Sequence, residues 1–299
     1  MQAGEAIVFK DRAFSAAELR LIQELVGAHR HLSRQELANT LCEILDWHRP
    51  GGGLKTWEAK ELLAVLDEHG LLQLPALRTT KPRGARTSIP RTGLAEPAAP
   101  MRAALGEVTP VTFRRVLTAE ERRLWRELVE RYHPQRHRVP FGAHLRYLVE
   151  ITRPRAAVVA CLQLSSPAWK MAARDRWIDW DDATRRRHLQ RLVNHSRFLV
   201  LPWVEVPHLA SHLLAQMARL VPDAWQHTYG VRPVLLETLV DIGWAGTCYR
   251  AANWIALGTT AGRGRMDRHH RREGLAPKQV FVYPLLAHAR EILRGARRG

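Results

Sequence analysis

The sequence predicts an α+β protein, in which a small all-α unit precedes a larger α/β domain with a central mixed sheet. Two patterns predict this. Residues 1–75 carry helix-period apolar spacing with capping signals, and from residue 111 onward strand-like runs alternate with helical ones. The 299 residues suffice for about two domains, each able to bury a core.

In the first unit, Leu19, Ile22, Leu25 and Val26 fall on one face of a helix over 15–28, opened by a Ser15/Glu18 capping box. Ser33 and Glu36 repeat that device for a second helix. Gly51, Gly52 and Gly53 form a turn, Thr56 caps a third helix ending at Gly70, and LLQLP closes the unit as a strand. Helix, helix, loop, helix and strand outline a winged-helix-like module. Its third helix carries Glu58, Glu61, Asp67 and Glu68 against Lys60, which opposes a phosphate groove and favours a protein partner for residues 1–75. Residues 76–110, with five prolines, no aromatic residue and six basic against two acidic side chains, read as a basic tether.

Residues 111–299 form the predicted α/β domain. Thr118 and Glu121 cap a helix to about residue 131, and strands follow at 144–151 and 156–164, joined by a hairpin at Thr152–Arg155. A Trp-rich loop (165–181) leads to a helix near Asp182. A strand at 198–203, a helix at 206–220, a strand at 233–241, a short helix at 246–254, strands at 255–260 and 278–285, and a last helix complete it. Ligand sites in such sheets lie at strand ends where the topology switches.

Charge narrows the partners. The chain holds 46 Lys+Arg against 29 Asp+Glu, a net +17. Residues 1–75 are net −3, with eight basic and eleven acidic side chains, and the remainder is net +20. Such a field attracts polyanions, so DNA, double- or single-stranded, is the expected partner, ahead of a membrane. Three scattered cysteines, Cys42, Cys161 and Cys248, exclude a disulfide scaffold and a zinc finger. With no leader-like N-terminus and no apolar run long enough to span a bilayer, a cytoplasmic protein is expected.

Several constellations could carry chemistry. In GRGRMDRHHRRE (262–273), Arg263, Arg265, Arg268, Arg271 and Arg272 supply guanidinium forks for phosphates. Glu150, Glu237 and Asp241 are carboxylates on apolar strands, a candidate set for Mg²⁺- or Mn²⁺-supported phosphodiester cleavage; the structural alternative is ion pairing with Arg146, Arg197 or Arg250. Tyr249 and Asn253 stand four apart on a short helix, where Tyr249 could act as general acid or nucleophile. Trp169, Trp177 and Trp180 alternate with Lys170, Arg174 and Arg176, a pattern for stacking bases of a single strand. Arg185 and Arg186 join Arg197 and Arg250 as further phosphate contacts.

The runs NHSRFLVLPWVEVPHLASH (194–212), LLETLVD (235–241) and GTCYRAANWIALGTTAGRGRMDRHHRREGLAPKQVFVYPL (246–285) resemble the DruA family, and SSPAWKMAARDRWIDWDD (165–182) extends the likeness. That family is named for a component of the Druantia anti-phage system, and its domain also accompanies DDE-type transposases. The chain departs from it at Tyr132-His133-Pro134 and Asn194-His195. The resemblance implies a role in defence or DNA mobility and supplies no reaction. The order of elements is also similar to the GNAT acetyltransferase-like fold. Acyltransferases of that fold hold coenzyme A on a Gly-rich turn, whereas the matching VEVPHLAS (204–211) has no Gly and carries Pro207 and His208, so coenzyme A is not expected. The leading expectation is a DNA-binding component of a defence system or mobile element, able to nick or modify DNA. The alternatives are a non-catalytic adaptor recruiting a helicase, nuclease or transposase, and an acyltransferase acting on a small molecule or tRNA.

Overall fold

The computed structural model describes residues 6–10, 12–30, 32–49, 54–76, 89–140, 142–260 and 276–295. These fall into two compact units, residues 6–76 and residues 89–295.

The first unit has a hairpin of β1 (Ile7–Phe9) and β2 (Arg12–Phe14), then α1 (Ala16–Ala28), α2 (Arg34–Ile44) and α3 (Thr56–Glu68). Capping boxes at Ser15/Glu18 and Ser33/Glu36 start the first two helices. Their apolar faces meet in a core of Phe14, Ile22, Leu37, Leu41, Leu62 and Leu63. The winged-helix outline is not confirmed. LLQLP forms no strand; Leu74 is buried there and its amide donates to Asp67. The β1–β2 hairpin of this unit precedes the helices rather than following them. Nor does Thr56 cap α3, because its hydroxyl donates to Asn39 Oδ1 and Lys55 occupies the capping position.

The second unit opens with β3 (Met101–Arg102), α4 (Leu105–Val108), β4 (Thr112–Arg115) and α5 (Ala119–Tyr132). The hairpin of β5 (His144–Ile151) and β6 (Ala157–Ser165) follows, then α6 (Ala172–Ile178), α7 (Asp182–His188) and β7 (Leu192–Val200). The remaining elements are β8 (Val204–Glu205), α8 (Leu209–Tyr229), β9 (Leu235–Asp241), α9 (Thr247–Ala251), β10 (Ile255–Thr259), β11 (Lys278–Pro284) and α10 (Ala289–Leu293). Seven strands form one mixed sheet in the order β10-β11-β9-β7-β6-β5-β4. Every pairing is antiparallel except β7 with β9, which are linked across α8.

Two expectations change here. β4 was not anticipated, because TFRR has no alternation long enough to read. The segment expected to be a tether is part of this unit from about residue 92. Ala95, Met101 and Val108 are in its core, and the Glu127 carboxylate, 1% exposed, accepts from the Thr92 amide and hydroxyl at 2.7 and 2.6 Å. β3 then pairs in parallel with β8, and the Met101 amide donates to Trp203 O. Prolines in this stretch break regular structure without preventing burial, since its small apolar residues find a ready surface. No helix among the described residues is long and apolar enough to cross a membrane.

Candidate functional site

Strand register places an unusual set of polar side chains on one face of the sheet. Arg146 of β5 stands opposite Gln163 of β6, and Gln163 opposite Arg197 of β7. A second row runs Ser165, Asn194 and Glu237 across β6, β7 and β9. Directly opposed residues share a face, so both rows lie on one side. α5 covers that side through Trp125, whose ring lies 4.7 Å beneath the Arg146 guanidinium, and α6 covers it through Arg174, which reaches Glu237. β7 pairs with β9 only over Leu192–Asn194, so Arg197 lies beyond the paired stretch at the topological switch.

Around the first row the charge is lopsided. Arg146 donates from Nε to Gln163 Oε1 at 2.9 Å, and Gln163 Nε2 donates to Ser196 Oγ at 3.1 Å. Arg122 and Arg126, one turn apart on α5, flank Trp125 and add their charge to Arg146. Burial, then Arg126 and Arg122, bring the Arg146 pKa down to about 10. The same field acts with burial to hold His137 at about 4 and His133 at about 4, the latter under the charge of Arg197. Burial and Arg138 also lower Arg197. Among the described residues, none of Arg122, Arg126, Arg138, Arg146 and Arg197 forms an ion pair. The nearest acids are engaged. Glu130 accepts from the His137 amide, and Asp241 accepts from Gln135 at 2.8 Å and pairs with Lys278 at 3.0 Å.

In the second row Ser165 and Glu237 are buried and Asn194 is half-buried. Arg174 and Glu237, both 0% exposed, pair at 2.9 Å; Arg174 also donates to Asp175 and to the carbonyls of Ala168 and Trp169. Burial works against the Arg174 charge, but Glu237 and Asp175 reverse that and the pKa shifts upward. Glu237 Oε1 and Asn194 Oδ1 have no hydrogen-bond partner among the described residues. On the opposite face, His195 is 2% exposed, packed among Phe198, Tyr249 and Trp254, with Nε2 unpartnered. Burial, aided by His133, lowers its pKa to about 3.

That last shift sets an acid limit. The unfolded chain binds a proton at His195 near pH 6.5 and the folded chain does not until about 3, so stability falls as pH drops below 6.5. By pH 5 this one side chain should cost about 2 kcal/mol. Urea denaturation at pH 7 and pH 5 of wild type and His195→Phe tests it: the variant should lose less on acidification, and equal losses would reject the assignment.

The family model of the Druantia protein DruA matches residues 66–271. The chain belongs to the DruA family. No curated protein matches it. Among solved structures it is similar to spermidine N-acetyltransferase from Vibrio cholerae in complex with CoA and spermine, at 11% identity and TM-score 0.39, covering 59% of this chain and 96% of that one. It is also similar to FeeM, an N-acyl amino acid synthase from uncultured soil microbes, at 11% identity and TM-score 0.38, covering 58% and 92%.

In this DruA-family chain the three expected metal carboxylates do not converge. Glu150 lies three strands and six residues from Glu237, roughly 25 Å away by strand spacing and rise. It is held by two hydrogen bonds from Arg114, at 2.6 and 3.0 Å. The partners are therefore Arg114, Arg174 and, for Asp241, Lys278, not Arg146, Arg197 or Arg250. No group of three or more His, Cys, Asp or Glu that could hold a metal occurs among the described residues, and Glu150, Glu237 and Asp241 do not form one. Tyr249 is 7% exposed, its pKa raised by burial, with its ring stacked on Phe281 at 5.6 Å and its hydroxyl 3.4 Å from His195 Nδ1. Asn253 does not share its helix face, because α9 ends at Ala251 and Asn253 sits at φ +62° in a left-handed turn.

The expected phosphate contacts also divide. Arg174 and Arg185 are buried, the latter hydrogen-bonded to Asp182 at 2.8 Å and lying over Trp169. Trp169 is 6% exposed, while Arg174 lies against Trp180 and Arg290 against Trp177, so these rings are occupied by the chain's own cations and not free for bases. Arg176 and Arg250 are exposed, and Arg186 and Arg197 half-buried. Arg263, Arg265, Arg268, Arg271 and Arg272 lie outside the described residues. Sequence reasoning missed Arg122, Arg126 and Arg138 and misassigned Arg146. The available signals were two Arg at helical spacing around Trp125, and an Arg on a strand with no acid facing it.

Proposed function

We propose that this DruA-family chain binds DNA along its phosphate backbone through the guanidinium field around Arg146, as the DNA-engaging component of an anti-phage system or mobile element. The observation that carries the reading is the gathering of Arg122, Arg126, Arg138, Arg146 and Arg197 around one face without a carboxylate partner. Like charges held together disfavour folding, and a polyanion reverses the sign of that interaction while releasing counterions. Arg176 and Arg250 add exposed charge. Glu150 and Glu237 do not converge and are each paired with an arginine, which supports binding rather than nicking.

Coenzyme A has no place in this reading. The turn after β7 carries Glu205, paired with Arg102 at 2.7 Å, and has Pro207 and His208 but no glycine, which speaks against close approach of a pyrophosphate. The first unit supports an adaptor role beside DNA binding. Glu58, Glu61 and Asp67 on α3 pair with Arg49, Lys10 and Arg34, while Trp57 on the same helix is 65% exposed, a surface for protein rather than phosphate.

The test is the salt dependence of duplex binding by the full chain. Five phosphate contacts predict that log K falls with log salt with a slope of about −4.5. A slope near zero, or no binding at low salt, would remove the assignment.

A further inference from the structure

We infer that the row Arg146–Gln163–Arg197 is a subsite for a phosphomonoester, the terminal phosphate of a nucleic-acid strand. The inference deepens the DNA-binding reading and rests on it. Arg122, Arg126 and Arg138 are exposed, as suits contacts along a duplex, but Arg146 and Arg197 are half-buried in the sheet face. Arg146 is fixed from below by the Trp125 ring and from the side by Gln163 Oε1, and this one bond uses only Nε. Both Nη groups have no hydrogen-bond partner among the described residues, leaving a preorganised fork whose geometry matches two phosphate oxygens. Arg197 is anchored by Nε on Arg136 O and by Nη1 on Gln135 Oε1 and Ser196 O, with Nη2 left for a ligand. Gln163, 1% exposed, ties the two strands between them and sets their spacing.

Charge and shape both favour a strand end. A diester carries one negative charge and continues in both directions, so it cannot sink into a recessed row. A monoester carries close to two charges near neutral pH and continues in one direction only. Two recessed guanidinium groups with three exposed ones around them balance the dianion better, and the carboxylate that acts on Arg197, Asp241 beyond Gln135, is itself paired with Lys278. The neighbouring rim fits the same picture: His133 and His137 stay neutral above pH 5 and so do not change the count.

Fluorescence anisotropy on otherwise identical duplexes with a 5′-phosphate or a 5′-hydroxyl tests this, with AMP and inorganic phosphate as competitors. Wild type should favour the phosphorylated end by about tenfold, the effect of a charge-assisted bidentate contact. Arg146→Lys, which keeps the charge and loses the fork, should bring that ratio near one with little change in salt slope. Arg122→Gln with Arg126→Gln should keep the ratio and flatten the slope. Equal binding of the two wild-type ends overturns the subsite and leaves DNA binding standing. Competition by AMP as strong as by a phosphorylated end overturns the strand-end assignment in favour of a mononucleotide. If neither duplex binds while AMP raises the melting temperature of wild type and not of Arg146→Lys, the phosphate subsite is supported and the DNA reading falls.

Discussion

Replacing Arg174 by Met should destabilise the α/β unit by about 3–5 kcal/mol, the usual cost of removing one partner from a buried ion pair. Arg174 and Glu237 are both 0% exposed, and Glu237 Oε1 already lacks a partner, so the substitution would strip the second oxygen as well. The carbonyls of Ala168 and Trp169 and the Asp175 carboxylate would lose donors too. A loss of that size is a large part of the 5–15 kcal/mol typical of a domain. Replacing both partners, Arg174→Met with Glu237→Leu, should recover much of it, because two well-packed apolar chains leave no stranded charge. Chemical denaturation of the two variants decides the matter: a single variant within about 1 kcal/mol of wild type would mean that the pair is not sealed from water.

The variant with Arg122, Arg126, Arg138 and Arg146 all changed to Gln should lose most of its salt-dependent DNA affinity. Between about 50 and 200 mM salt, wild type should weaken roughly 500-fold, and the variant, with one contact remaining, only about 3-fold. Its fold should not suffer. Burial and the neighbouring cations hold Arg146 at about 10, so removing them relieves repulsion in the free protein and the melting temperature should rise. Weaker binding with a higher melting temperature separates a lost interface from a damaged fold. A variant that binds as wild type does would move the interface elsewhere on the chain, where Arg176 and Arg250 are the exposed candidates.

Much of the local structure was legible. Capping boxes at Ser15, Ser33 and Thr118 start helices as the sequence predicts, because an N-cap bond needs only residues three apart. The β5–β6 hairpin forms where expected, with a connection of five residues (152–156) rather than four, because β6 begins at Ala157. The strand at 198–203 was displaced: β7 begins at Leu192, where charged and polar residues hide the period of a strand that has one polar face. α8 runs to Tyr229 and begins after Pro207, which was expected within its first turn. Thr56 was read as a cap from its residue type alone, while its hydroxyl was claimed by Asn39 from another helix.

For the candidate site the division is sharper. The sequence by itself determined the family, most of the longer helices and strands, and the excess of positive charge after residue 75, because motifs, periodicity and composition are properties of neighbours along the chain. Only the tertiary structure decided which cations face outward. Arg174 and Arg185 carry the same side chain as Arg122 and Arg126, yet the first two are buried and paired, Arg174 with buried Glu237 and Arg185 with Asp182, while the latter two surround an Arg146 with no ion pair among the described residues. The effect of a charge depends on what stands within a few ångströms of it, and strand register, not sequence distance, brings Arg146, Gln163 and Arg197 side by side.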